Sequence, residues 1–194
     1  MSKFDYNLIA IGAGSGGLVS TFIASAVKAK VALIEKNKMG GDCLNTGCVP
    51  SKALISSAKA VQMLKKHTLF GLKNVSYEVD FTLTMERVRD IIAKVELHDS
   101  VARYSSLGVE CHIGEAMIRS PHEVEVNGQV LTTKNIVVAT GARPFVPPTP
   151  GLEDVQFSHS DNIWDLRKQP KHLAVIGDGP TGSELAQAFR RLGS

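Results

Sequence analysis

The stretch YNLIAIGAGSGGLVSTFIASAVKAKVALIEK, from Tyr6 to Lys36, decides the fold of this chain. It begins with an apolar run typical of a strand, passes through a glycine-rich turn and an amphipathic helix, and ends in a second apolar run, VALIE. Two parallel strands joined by a crossover helix make a βαβ unit. The stretch therefore predicts a protein of the α/β class.

Three glycines in the turn, Gly12, Gly14 and Gly17, fit the pattern G-x-G-x-x-G. In a dinucleotide site the first makes the tight turn, the second lets a pyrophosphate approach the backbone, and the third lets helix and strand pack closely. Glu35 ends the second strand, where a carboxylate accepts hydrogen bonds from an adenosine ribose. A glycine-rich turn without a ligand is the alternative, but the order of strand, turn, helix, strand and acid favours a dinucleotide.

The next segment, GGDCLNTGCVPSK, contains two of the three cysteines, Cys43 and Cys48. The third, Cys111, has a single histidine beside it, which argues against a closed zinc site, and we predict no metal site. A bridge between the first two would close a very short loop, which argues against a purely structural disulfide. Redox chemistry and two buried apolar cysteines both remain open, although the second interpretation leaves the surrounding glycines unexplained.

The segment KALISSAKAVQMLKK is predicted to be a helix, because its apolar residues recur at helical spacing. Cys48 then lies at or just before the helix start, and Pro50 is tolerated in the first turn. Unpaired backbone N–H groups at that end, together with Lys52, favour a thiolate. These surroundings support the redox interpretation.

Composition limits the class of protein. The chain has 194 residues, of which 43% are hydrophobic and 21% charged, which suits a soluble globular protein of one domain or slightly more. The start of the chain lacks a signal peptide pattern, and no apolar stretch approaches bilayer length, so we expect a cytoplasmic protein without a membrane partner. The net charge of +3 is small and the basic residues are scattered, so no nucleic acid partner is expected.

The combination of GAGSGG, VALIEK and GGDCLNTGCVPSK resembles the flavin-dependent pyridine nucleotide-disulfide oxidoreductases, such as glutathione reductase, dihydrolipoamide dehydrogenase and mercuric reductase. Two later segments resemble the family as well: GEA, residues 114–116, is similar to its adenine-contacting strand, and TTKNIVVATGARP, residues 132–144, to its strand-to-linker signature. A second G-x-G-x-x-G pattern within LAVIGDGPTGSELAQAF resembles the start of the family's NAD(P)H domain.

The resemblance implies an activity. Electrons would pass from NAD(P)H to FAD, then to a Cys43–Cys48 disulfide and on to an external acceptor, which would be a small-molecule or protein disulfide or a mercuric ion. Cys48 would be the charge-transfer thiolate and Cys43 the interchange thiol. Lys52 would lie near the flavin and pair with Glu184, so that a cation stabilises the charge of the reduced flavin.

The resemblance also assigns cofactor contacts. The residues implied for FAD are Gly12, Gly14, Gly17, Glu35, Lys36, Gly41, Asp42, Gly114, Glu115, Ala116, Ala139, Thr140 and Gly141. Those implied for NAD(P)H are Gly177, Gly179 and Gly182. Asp42 stands where many members of the family carry a threonine, so its flavin contact departs from the family's pattern.

The implied architecture is a doubly wound parallel sheet with a small antiparallel insertion. We expect an FAD-binding domain over residues 1–144, a proline-rich linker over 145–170, and the first strand and helix of a truncated NAD(P)-binding domain over 171–194. EVEVNGQVLTT predicts a hairpin turning at Asn127-Gly128. The region from Phe81 to Gly108 is predicted to be one long helix.

We also expect the chain to be a fragment, inactive alone, of a longer homodimeric enzyme. Within the family, its linker and last segment look most like mercuric reductases and their dihydrolipoamide dehydrogenase-like relatives. An alternative of another class is a non-catalytic flavin-binding or thiol redox-switch module. A monooxygenase-type flavoprotein shares the first glycine pattern but not the cysteine segment.

Overall fold

The structure, a computed structural model, describes residues 3–194. The strands are β1 (Tyr6–Ile11), β2 (Val31–Glu35), β3 (Val109–Ile113), β4 (Ala116–Ser120), β5 (Glu123–Val126) and β6 (Gln129–Val138). The helices are α1 (Ser15–Ala26), α2 (Gly41–Asn45), α3 (Cys48–Lys65), α4 (Phe81–Glu96), α5 (Val101–Ser106) and α6 (Pro180–Leu192). Short 3-10 helices span His67–Phe70, Leu97–Asp99, Leu152–Asp154 and Ile163–Asp165. Within residues 3–194, no helix is long and apolar enough to cross a bilayer.

The strands form a six-stranded sheet in the order β3-β2-β1-β6-β5-β4. Strands β3, β2, β1 and β6 run parallel, whereas β6, β5 and β4 form an antiparallel extension. Leu8 of β1 lies opposite Val31 of β2, and α1 connects these two strands. The α/β fold with a parallel sheet and a small antiparallel insertion is therefore confirmed.

The turn between β5 and β6 is the Asn-Gly turn that the sequence predicts. Asn127 has φ of 51° and Gly128 has φ of 78°. Two consecutive residues with positive φ are what a type I′ hairpin turn requires, and Asn-Gly accommodates them well. Val126 pairs with Gln129 across this turn, which confirms the hairpin.

The described chain divides into two compact units. The first contains the chain up to Asn45 together with Lys94–Arg143, and it holds the sheet. Every residue of β2 is buried, and Ile34 is only 1% exposed. A strand with parallel neighbours on both sides is covered on both faces, which explains its continuous apolar sequence.

The second unit consists of Thr46–Ala93 and Pro144–Ser194. Its core is built from α3, α4 and α6, which bury Leu54, Met85 and Phe189 almost completely. Trp164 joins this core, and its indole N–H donates to the carbonyls of Thr46 at 2.9 Å and Ser160 at 2.7 Å. Trp164, which lies in the linker predicted over residues 145–170, is therefore part of the core of this unit.

The prediction of one long helix between Phe81 and Gly108 is wrong. Helix α4 ends at Glu96, and α5 begins after Ser100. The Ser100 hydroxyl accepts a hydrogen bond from the N–H of Arg103 at 3.2 Å, as an N-cap residue does. The apolar residues at helical spacing therefore belong to two separate helices, with a short 3-10 helix between them.

The strand predicted at Leu173–Gly177 is not formed, because residues 173–178 carry no regular secondary structure. Ile176 is 75% exposed. A strand needs neighbours to satisfy its backbone groups and cover its apolar side chains, and within residues 3–194 no strand pairs with this segment. The helix predicted after it does form, as α6.

The buried centre of the sheet sets the stability of the first unit. Ile34→Ala should lower the free energy of unfolding by about 2–5 kcal/mol, because it leaves a cavity among tightly packed neighbours. Ile113→Ala on β3 is the matched control, since Ile113 is 51% exposed and should cost less than about 1 kcal/mol. Urea unfolding followed by circular dichroism measures both, and equal losses would contradict this account of the core.

Candidate functional site

The glycine turn after β1 is packed backbone against backbone. Gly12 has φ of +100°, and a Cβ there would lie 2.2 Å from the carbonyl oxygen of Ala139. A Cβ on Gly17 would lie 1.8 Å from the carbonyl oxygen of Gly12. Contacts this short leave no room for a side chain, so the fold itself requires glycine at both positions.

Gly14 differs from its two neighbours in the pattern. It is the N-cap residue of α1, with φ of −82°, a conformation that any residue can adopt. A Cβ there would meet only Gly41 Cα, at 3.7 Å, which is an ordinary van der Waals contact. The packing of the protein does not require a glycine here, so its absent side chain leaves the outer face of the turn open.

Glu35, at the end of β2, is joined to the glycine turn. Its carboxylate accepts hydrogen bonds from the N–H of Ala13 at 2.6 Å and from the N–H of Asn37 at 2.7 Å. Glu35 is 8% exposed. Each of these two bonds uses one carboxylate oxygen, and each oxygen keeps a further lone pair for a ligand hydroxyl.

The turns after β2 and β6 lie against the same glycine turn. Gly41 has φ of +55°, and a Cβ there would lie 2.6 Å from Gly14 Cα. Ala139 follows β6 and donates its N–H to the carbonyl of Ile11 at 2.8 Å. Thr140 comes next, and a Cβ on Gly141 would lie 3.7 Å from Asp42 Oδ2.

The segment after β3 joins this edge as well. The N–H of Gly114 donates to the carbonyl of Glu35 at 2.8 Å, and Lys36 pairs with Glu115 at 3.5 Å. The residues that the resemblance assigns to FAD thus follow the carboxyl ends of adjacent parallel strands. Open α/β sheets bind their ligands at this edge.

The thiols occupy three different settings. Cys43 lies in α2 and is half-buried, whereas Cys48 is exposed and is the first residue of α3, after the N-cap residue Gly47. Cys111 lies in β3 and is half-buried. Burial raises the pKa of the Cys111 thiol, which disfavours its reactive thiolate form.

Lys52 and Glu184 are brought together in the second unit. The Lys52 ammonium lies 2.6 Å from the Glu184 carboxylate, although 132 residues separate them in sequence. Both side chains are substantially exposed, so the pair contributes no more than about 1 kcal/mol to stability. Lys52 lies one helical turn after Cys48 on α3, so the paired cation is close to that thiol along the helix.

The second glycine pattern repeats the geometry of the first. Gly177 has φ of +109°, and a Cβ on Gly182 would lie 2.7 Å from the Gly177 carbonyl oxygen. Gly179 is the N-cap residue of α6, and a Cβ there would meet nothing within 4 Å. As in the first turn, the outer glycines are needed by the fold and the middle one leaves space.

The comparisons with known proteins agree with this geometry. The model of the pyridine nucleotide-disulphide oxidoreductase family matches residues 6–194. The chain belongs to this family. It is 37% identical to a mercuric reductase of Bacillus cereus over 99% of the chain and 30% of that protein. It is 38% identical to a dihydrolipoyl dehydrogenase of Acholeplasma laidlawii over the whole chain and 59% of that protein.

A solved structure also supports the conclusion that this chain belongs to the pyridine nucleotide-disulphide oxidoreductase family. The Cu(II) complex of the HOCl-induced flavoprotein disulfide reductase RclA from Escherichia coli is similar with a TM-score of 0.80 and 25% identity. The match covers 97% of this chain and 40% of the other. The chain thus spans between 30% and 59% of the length of these relatives.

Sequence reasoning missed the residues that hold Glu35 in place. Ala13 and Asn37 act through their backbone N–H groups, so their side chains carry no signal of this role. The position of a carboxylate at the end of β2, beside a turn rich in unpaired N–H groups, is the signal that could have indicated it.

Two neighbouring glycines of α1 offer a matched test of the turn. Gly17→Ala should destabilise the first unit by about 3 kcal/mol or more, because backbone must move to admit the Cβ. Gly16→Ala should change stability by less than about 1 kcal/mol, since its Cβ would meet only the Ala139 Cβ, at 3.3 Å. Urea denaturation of the two variants distinguishes them, and similar losses would show that the turn is not packed as described.

Proposed function

We propose that this chain is the FAD-binding portion of an NAD(P)H-dependent oxidoreductase that reduces a disulfide or a mercuric ion. FAD would accept a hydride from NAD(P)H and pass two electrons to a Cys43–Cys48 disulfide, which becomes two thiols. Those thiols would transfer the electrons to the external acceptor. The names of the mercuric reductase and dihydrolipoyl dehydrogenase relatives support this choice of acceptors.

The observation that carries the proposal is the open glycine at Gly14. Gly12 and Gly17 have reasons inside the protein to lack a side chain, but Gly14 has none. A pyrophosphate that must touch the backbone at the start of α1 supplies the missing reason, because the N–H groups there favour an anion. Glu35, next to the same turn, would bind the ribose hydroxyls of FAD with its remaining lone pairs.

The proposed roles of the two thiols and of Lys52 are those that the resemblance implies, and their positions are consistent with them. Cys48 would be the thiolate that contacts the flavin, since it is exposed at the start of an 18-residue helix. Cys43 would exchange with the acceptor. Lys52, oriented by Glu184 at 2.6 Å, would place a cation where negative charge develops on the reduced flavin.

The remaining features of the proposal concern the longer protein. NAD(P)H would bind at the turn that contains Gly177, Gly179 and Gly182, once that turn is part of a complete sheet. The longer protein would be a homodimer in the cytoplasm, where thiols are kept reduced and redox disulfides are transient.

The first test of the proposal is FAD binding by the purified chain. Gly14→Val should weaken FAD binding by more than about 2.7 kcal/mol, a factor of 100, because the branched side chain fills the space left for the pyrophosphate. The sheet should survive, since a Cβ on Gly14 would meet only Gly41 Cα, at an ordinary van der Waals distance of 3.7 Å. Gly16→Ala is the control and should bind FAD as the unaltered chain does. Fluorescence titration with FAD gives both constants, and full retention of FAD by Gly14→Val would refute the site.

The second test separates the roles of the two thiols. On reduction of the FAD-loaded protein, a thiolate that contacts the flavin should produce a long-wavelength absorbance band. Cys48→Ser should abolish this band, because it removes the thiolate, whereas Cys43→Ser should retain it. The reverse pattern would overturn the assignment of the roles. In the longer protein, the unaltered enzyme should oxidise NAD(P)H with a disulfide acceptor and both variants should lose this activity, whereas a thiol switch would show no such turnover in any form.

A further inference from the structure

A polar contact joins the hairpin turn to the segment that follows β3. The Asn127 side-chain amide donates to the carbonyl of Ile113 at 3.0 Å. A Cβ on Gly114 would lie 2.3 Å from Asn127 Oδ1. The Asn127 side chain therefore lies directly against the backbone of Ile113 and Gly114.

The same segment is held from its other side by β2. The N–H of Gly114 donates to the carbonyl of Glu35 at 2.8 Å. Two residues further on, Ala116 begins β4 and pairs with Val126 in the hairpin. Gly114–Ala116 is thus fixed between the end of β2 and the hairpin, and Asn127 supplies the side-chain contact on the hairpin side.

The contact between Asn127 and Gly114 explains why these two amino acids stand at these two positions. The turn needs positive φ at Asn127, and Asp or Gly would meet that need as well as Asn does. Only Asn combines this preference with an amide donor for the Ile113 carbonyl. Gly114 lacks the left-handed φ that favours glycine, but a larger residue would collide with the Asn127 amide.

A cavity of about 260 Å³ opens beside this contact, lined by Glu115, Ala116, Met117, Glu125, Val126 and Asn127. Complete small-molecule pockets usually have volumes of roughly 300–1,000 Å³. The cavity therefore suits one part of a ligand better than a whole dinucleotide. One of its lining residues, Glu115, pairs with Lys36, which directly follows the end of β2 at Glu35.

We propose that Asn127 is a positioning residue, which holds the Gly114–Ala116 backbone in place for contact with the adenine end of FAD. This inference rests on the proposed function, since it assumes that FAD lies along the carboxyl edge of the sheet. Asn127 acts through the backbone that it fixes. Its loss should therefore weaken binding of the adenine half of the cofactor without unfolding the hairpin.

The test uses the full 194-residue chain and variants that keep the turn intact. Asn127→Asp and Asn127→Gly both preserve a good type I′ turn, but neither can donate to the Ile113 carbonyl. Each should weaken FAD binding about three- to tenfold, which is the range for one lost hydrogen bond. Gln129→Ala, an exposed change next to the same turn, is the control and should leave the FAD constant unchanged.

A double-mutant cycle adds a readout that general destabilisation would not produce. Gly114→Ala alone should weaken FAD binding, because its Cβ collides with the Asn127 amide. In the Asn127→Gly background that collision is absent, so Gly114→Ala should have a much smaller effect there. Equal effects of Gly114→Ala in the two backgrounds would overturn the proposed contact.

ADP, which carries only the adenine half of FAD, locates the effect along the cofactor. Asn127→Asp should weaken ADP binding, measured by competition with FAD, by the same factor as it weakens FAD binding. Unchanged ADP binding, or unchanged FAD binding in both Asn127 variants, would overturn the inference while the proposed function stands. If the unaltered chain binds neither FAD nor ADP, the proposed function fails and the inference fails with it.

Discussion

The close packing of backbone on backbone at Gly12 is the contact on which the site depends. The carbonyl of Ala139 occupies the place of a Gly12 side chain, and the Gly12 carbonyl occupies that of Gly17. These contacts join the end of β1, the start of α1 and the end of β6 without any side chain between them. Strand β2 pairs with β1 up to Ile34, and the next residue, Glu35, accepts a hydrogen bond from the N–H of Ala13 in the same turn.

Local signals made the first half of the fold predictable. The β1-α1-β2 unit is predicted by two apolar runs and by the glycines between them, whose conformations are set by their nearest contacts. The hairpin is predicted by two residues, Asn127 and Gly128, that tolerate positive φ. The break at Ser100 was missed because its neighbours keep a helical apolar pattern, although the hydroxyl that starts α5 is itself a capping signal.

Features that depend on distant partners could not be derived from local patterns. An apolar run such as the one that starts at Leu173 forms a strand only beside other strands. Within residues 3–194, no strand pairs with this run. Trp164 lies in a proline-rich segment, but its indole is anchored by the carbonyls of Thr46 and Ser160. The pairing of Lys52 with Glu184 was expected only from the family resemblance, since nothing in either local sequence points to the other.

Position decides which of the chain's cysteines suits redox chemistry. Cys111 is half-buried in β3, where desolvation raises its thiol pKa and so disfavours the reactive thiolate form. Cys48 is exposed at the first residue of a long helix, and a lysine paired with Glu184 follows one turn later. The first N–H groups of a helix have no partner within the helix and favour a negative charge. A cysteine side chain is therefore part of the packed sheet at Cys111 and a candidate reactive group at Cys48. That contrast follows from burial and helix geometry alone, independently of the resemblance to relatives.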